Sequence, residues 1–205
     1  MRKNCLPLLL KPRYFWSNQV RIKSKWNLKE RQRSLSETAS AVAFILWRIG
    51  QQGILNLENE GFQTDTYAQR VDIMEEFLAF LVHVVDRMTA AGLSEEERQI
   101  FISALAKHLA DRVQENRADI QGKGDYRQPL IRLLNERTAD YAGFSFTGNE
   151  PGFACRRYFG EHVRAVMGEK DNKWITDQVM DIEVPEALKP LEKAMRDLFP
   201  PAGAS

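Results

Sequence analysis

Phe77-Leu78-Ala79-Phe80-Leu81-Val82-His83-Val84-Val85 is apolar nearly all the way round a helix, with His83 as the polar interruption. A helix of that kind belongs at the centre of a domain, with other helices packed around it. The run is too short to cross a bilayer, which takes about 18 unbroken apolar residues. The flanks fit a helix as well. Thr66 and Gln69 have capping-box spacing ahead of the run. Gly92 stands where a left-handed residue would close the helix.

Reading outward, Ser94-Glu95-Glu96-Glu97 opens a third helix with a capping box whose acids also suit the helix dipole. Phe101, Leu105, Leu109 and Val113 form its stripe, and the short link makes helices 2 and 3 an antiparallel hairpin. Upstream, Ser34 and Glu37 cap a first helix carrying Val42, Ile45, Leu46 and Ile49. Gly50 and Gly53 each disfavour a helix interior by about 1 kcal/mol, so a kink or an end is expected there, with a kinked continuation toward Asn59. Gly122-Lys123-Gly124 breaks the chain, Pro129 is expected at the first position of helix 4, and Gly143 stops that helix. A fifth helix carries Cys155, Phe159, Val163 and Val166 as far as Gly168. Asp171 is expected to cap a short sixth with Trp174 and Ile175, and Pro185 and Pro190 to bound a last one with Leu188, Leu191, Met195 and Leu198. No strand is expected. The fold class is all-α: an irregular bundle of about six or seven helices with a basic N-terminal arm at 1–33, one helical domain at 34–199 and a frayed tail at 200–205.

Apolar residues make up 43% of the 205 and charged residues 28%, a composition that folds without disulfide or metal staples. The two cysteines, Cys5 and Cys155, form no disulfide framework, which points to a reducing interior, cytoplasmic or peripheral to a membrane. Met1-Arg2-Lys3 is basic, but the apolar run after it contains Pro7 and stops at Lys11, so a secretory signal is not expected. Net charge is divided along the chain. The arm holds ten Lys or Arg against one acid, Glu30, a net +9, and the rest holds 19 basic and 27 acidic residues, a net −8. Such asymmetry suggests an arm with its own partner.

Motif chemistry is sparse. His83-Val-Val-Asp86-Arg87 recurs as His108-Leu-Ala-Asp111-Arg112, and two His–Asp pairs on facing helices could hold a metal. Counting from the hairpin turn, His83 lies roughly 14 Å and His108 roughly 23 Å away, too far apart to share one ion. Cys155 and His162 lie two helical turns apart, about 10 Å, beyond the reach of direct thiol activation. Glu75-Glu76 lies beside the apolar run and Glu95–Glu97 serves as a cap, so neither pair points to acid–base work. Phosphate-loop, dinucleotide, serine-elbow and zinc-protease spellings do not occur. No catalytic, cofactor-binding or metal residue is therefore expected.

Two segments read as contact surfaces. In the loop 141–159, Phe144, Phe146 and Phe153 crowd around glycines and a proline beside Arg156 and Arg157. A loop folded back to plug one end of the bundle explains these residues first, and contact with a partner, which aromatics next to arginine suit, comes second. The arm interleaves Tyr14, Phe15, Trp16 and Trp26 with its cations, more aromatics than a disordered tail carries. A protein partner or a membrane surface ranks first for the arm, targeting second, and nucleic acid last because the body is acidic. The helix 2–3 hairpin followed by Gly122–Asp125 resembles the all-helical assembly chaperones of the cytochrome bc1 complex. That resemblance covers a minority of the chain, leaves 144–205 unmatched, and implies an assembly role. The expected function is a non-enzymatic interaction protein: an adaptor, an assembly factor or a small subunit of a larger complex. The alternative is a small helical enzyme or ligand-binding protein with a pocket between helices 2, 4 and 5.

Overall fold

Serine caps start the two longest helices among the described residues. The Ser34 hydroxyl accepts from Glu37 N at 3.2 Å while the Glu37 carboxylate accepts from Ser34 N at 3.1 Å, and Ser94 and Glu97 repeat the exchange at 3.3 and 2.9 Å. These caps open α1 (Leu35–Asn59) and α3 (Glu95–Gln121) in a computed structural model that describes residues 34–167 and 173–199. Between them runs α2 (Tyr67–Thr89), followed by α4 (Arg127–Tyr141), a two-stranded hairpin β1 (Phe146–Thr147) and β2 (Glu150–Pro151), α5 (Phe153–Met167), a short α6 (Ile175–Gln178), a π-helical turn (Val179–Glu183) and α7 (Val184–Leu198). The fold is an all-α bundle. The expectations for the arm at 1–33, Gly168, Asp171 and the tail at 200–205 lie outside the described residues. No described helix is long and apolar enough to cross a membrane.

α2 is the central helix. Every residue from Glu76 to Val85 is buried, and α1, α3, α4 and α5 all pack against it. Phe77, Phe80, Leu81 and Val84 have no exposed surface. The ring of Phe159 from α5 stacks on Phe80 at 4.4 Å and meets Phe77 edge-on at 5.0 Å, so α2 and α5 are joined through three rings. The α3 stripe of Phe101, Leu105, Leu109 and Val113 is likewise fully buried.

Several local expectations fail for identifiable reasons. α1 neither ends nor breaks at its glycines. A Cβ on Gly50 would lie 2.5 Å from Met74 Sδ, and one on Gly53 2.5 Å from Phe77 Cε1. The glycines let α1 lie directly against α2, and that packing overrides their weak helix propensity. Gly92 is not left-handed; positive φ among the described glycines occurs at Gly61, Gly122 and Gly148. Thr89 closes α2 instead: its hydroxyl donates to Val85 O at 3.0 Å and its carbonyl accepts from the N–H groups of Gly92 and Leu93. Thr66 accepts from Gln69 N as a cap, but Gln69 Oε1 reaches one residue further back, to Asp65 N at 2.6 Å, so the box is half made. Helix α4 starts at Arg127, two residues before Pro129, because Asp125 Oδ1 caps Arg127 N and Gln128 N at 3.1 and 3.3 Å. Pro129 still falls in the first turn, where an N–H has no intrahelical partner anyway. The loop after α4 contains the β1–β2 hairpin, turned at Gly148 with φ +60°; two residues per strand are too few to leave an alternation pattern. Pro185 marks the start of α7, in its first turn, but Pro190 sits inside the helix rather than bounding it. The turn ahead is π-helical, with Val184 N donating to Val179 O, and that opening accommodates a ring at Pro185 that would crowd a regular ladder.

Candidate functional site

α2, α4 and α5 enclose a polar layer that the sequence places 61 residues apart. The Arg137 guanidinium clamps the Glu76 carboxylate with two hydrogen bonds, 2.8 and 2.7 Å, and Glu76 is only 3% exposed. Beside the clamp, the Tyr158 hydroxyl donates to Asp140 and the His162 ring lies 4.3 Å over the Tyr158 ring. Burial pushes the Tyr158 phenol and the Cys155 thiol each up to about 12, the Asp140 hydrogen bond adding to the first. Burial pulls His162 down, and the nearby Arg137 adds to that. Chemically, Cys155 is a neutral thiol, Arg137 is paired with Glu76, and Tyr141, Cys155 and Phe159 have no exposed surface. The alternative reading places a pocket between helices 2, 4 and 5, and these rings and the ion pair lie in that region.

His83 lies at the edge of this layer, 4% exposed, with neither ring nitrogen hydrogen-bonded. It stacks 5.3 Å from the Tyr141 ring, whose own hydroxyl is buried without a partner, and 5.4 Å from Phe146. Burial, with Arg87 adding repulsion, lowers its pKa to about 4. The two His–Asp strings are separated by their partners: Asp86 pairs with Arg98 at 3.4 Å, Asp111 with Arg127 at 2.7 Å, and His108 is only partly buried. Among the described residues, no three His, Cys, Asp or Glu side chains gather as a metal site would require.

The aromatic loop divides into an inner and an outer part. Phe144 packs on Tyr141 and Tyr158, and Phe146 packs on His83 with the Arg87 guanidinium 5.3 Å over its ring. Both fold back onto the bundle. Phe153, by contrast, is 62% exposed, and Arg157 is exposed and paired with Glu161 along α5. Arg156 is half-buried with its Nε unpartnered. Tyr14, Phe15, Trp16 and Trp26 lie outside the described residues.

One open feature was not anticipated from the sequence. α1, α2 and α3 border a trough of about 410 Å³ with Trp47, Ile54, Val71 and Met74 as its floor. Its rim carries Leu55, Tyr67 and Ile120, three large apolar residues left 42–71% exposed. The charged residues lining it are Arg48 and Arg70, with no carboxylate among the described lining. Arg70 is held in a two-point pair with Glu58 and lies over the Tyr67 ring; Arg48 is exposed and forms no ion pair among the described residues. From Trp47 to Leu55 the trough follows α1 for about 12 Å, a little over two helical turns. A usable signal lay in Leu55, an apolar residue off the buried face of its helix, but its companions come from two other helices. The chain matches no protein-family model, no curated protein and no solved structure.

Proposed function

We propose that this chain is a non-enzymatic helical interaction protein, an adaptor, assembly factor or small subunit of a larger complex, and that its trough holds an acidic amphipathic segment of a protein partner. One observation carries the reading: three exposed apolar side chains rim a trough whose lining charges are both arginines. Exposed apolar patches of that kind mark contact surfaces. The trough is open along its length and spans about two turns of helix, which suits the i, i+3/i+4, i+7 anchors of an amphipathic helix. Arginine beside aromatic rings supports a contact role, and the absence of a lining carboxylate selects an acidic partner over a basic one. Phe153 and Arg157 offer a second exposed contact point on α5, and the basic arm keeps its reading as a segment for an anionic protein or membrane surface.

The test is amide NMR on the full chain titrated with a designed acidic helix bearing a leucine stripe. Shifts concentrated at Trp47, Tyr67, Asn116 and Ile120 are the expected result. Shifts spread evenly over the surface, or none, would refute the trough as the docking site.

A further inference from the structure

A second groove, of about 300 Å³, lies on another side of α1, between that helix and α7. Its lining joins an apolar wall, Phe44, Ile45 and Ile49, to the Glu183 carboxylate. Glu183 is 1% exposed, more deeply buried than Glu76, yet the two acids are treated differently. Glu76 receives a guanidinium; Glu183 receives only two neutral amides, Asn56 Nδ2 at 3.1 Å and Gln178 Nε2 at 3.2 Å. The charged groups that act on it are carboxylates, Glu186 and Glu60, and both oppose its ionisation as its burial does. Arg48 stands in the wall of the same groove but forms no ion pair among the described residues.

Burying a carboxylate is costly unless a cation accompanies it, and amide donors supply hydrogen bonds without neutralising charge. The location is unusual as well. Glu183 closes the π-helical turn, and such turns recur at functional sites because they displace one residue from the regular face. The amides of Asn56 and Gln178 hold the carboxylate oxygens in place, and Gln52 in turn anchors Asn56 at 2.8 Å. The result is an oriented acid bordering a groove with an apolar wall on one side and Arg48, Gln52, Asn56 and Glu186 among its other lining, and no cation of the described residues pairs with Glu183.

We propose that the α1–α7 groove is a binding site for an ammonium or guanidinium group on an aliphatic stem, with Glu183 as its counter-ion and Ile45, Ile49 and Phe44 against the stem. A free alkylamine and a lysine or arginine side chain share this chemistry. The groove shares Arg48 and Gln52 with the trough, but Glu183 and the apolar wall belong to the groove alone, so the proposal does not rest on the trough's reading.

The test titrates the full chain with hexylammonium, with a Gly-Lys-Gly peptide and with hexanol as the neutral control, following the side-chain amide signals of Asn56 and Gln178 by NMR. Saturable shifts with hexylammonium and none with hexanol are expected; shifts with the peptide too assign the site to side chains as well as free amines. Glu183→Gln, which keeps a hydrogen-bonding head group, should weaken binding by about tenfold or more with an unchanged melting temperature. Gln52→Lys, which supplies a cation from the groove wall, should block the probe to a similar degree in a chain that keeps Glu183. No shifts with either cation, equal shifts with hexanol, or full binding in both variants would overturn the proposal.

Discussion

Protonating His83 should destabilise this protein's centre as the pH falls below neutrality. The ring is 4% exposed, stacked on Tyr141 with Phe146 tilted against it, and its pKa falls from 6.5 to about 4 on folding. A histidine with a depressed folded pKa is neutral when folded and binds a proton more readily when unfolded. Its share of stability is therefore complete above the unfolded pKa and is lost as pH falls toward the folded one. Taking those two values, lowering the pH from about 8 to about 5 removes about 2 kcal/mol through this residue alone. His83→Phe keeps a flat ring and removes both unpartnered nitrogens, so it abolishes that loss whatever it does to stability at high pH. Urea unfolding of both chains at several pH values isolates the difference, because His162 and the carboxylates titrate in each. The natural chain should lose about 2 kcal/mol more than His83→Phe over that range. Parallel pH curves would refute the buried neutral imidazole.

Two further substitutions test the packing. Gly53→Ala gains about 1 kcal/mol of helix propensity but drives a Cβ into the Phe77 ring, a strain of about 1–3 kcal/mol, so the melting temperature should fall. Gly50→Ala meets the movable Met74 sulfur and should be tolerated better, which thermal unfolding of the pair will show. Arg137→Met leaves the Glu76 carboxylate buried without its cation and should cost about 3–5 kcal/mol by urea unfolding. Adding Glu76→Leu to that variant should restore most of the loss, since a buried ion pair replaced by packed apolar groups is close to neutral.

The fold could be read from the sequence where one helix carried its own evidence. The run from Phe77 to Val85 announced a central helix because no polar face was left to meet water, and Ser34 and Ser94 announced their helices through a glutamate three residues on. Misreadings arose where a residue's role is set by another element. Gly50 and Gly53 look like helix breakers until Met74 and Phe77 lie against them. Gly92 looks like a cap, but the Thr89 hydroxyl and carbonyl already close the helix. The candidate site was less legible for the same reason. Leu55, Tyr67 and Ile120 come from three helices, Glu76 meets Arg137 across 61 residues, and Asn56 meets Glu183 across 127. Local periodicity holds no trace of such meetings. Phe144 and Phe146 allowed two readings from composition, a loop folded back on the bundle and a partner contact, and in the structure they pack on Tyr141, Tyr158, His83 and Arg87.

The central claim is that the trough selects an acidic apolar segment, and a charge swap tests it most directly. Arg48 is the lining cation that forms no ion pair among the described residues, so it dominates the preference. The measurement is the affinity ratio of two leucine-striped helical peptides, one flanked by glutamates and one by lysines, for the natural chain and for Arg48→Glu at low salt. The natural chain should favour the acidic peptide by about tenfold, and Arg48→Glu should erase or reverse that preference with unchanged melting. An equal preference in both chains would contradict the account.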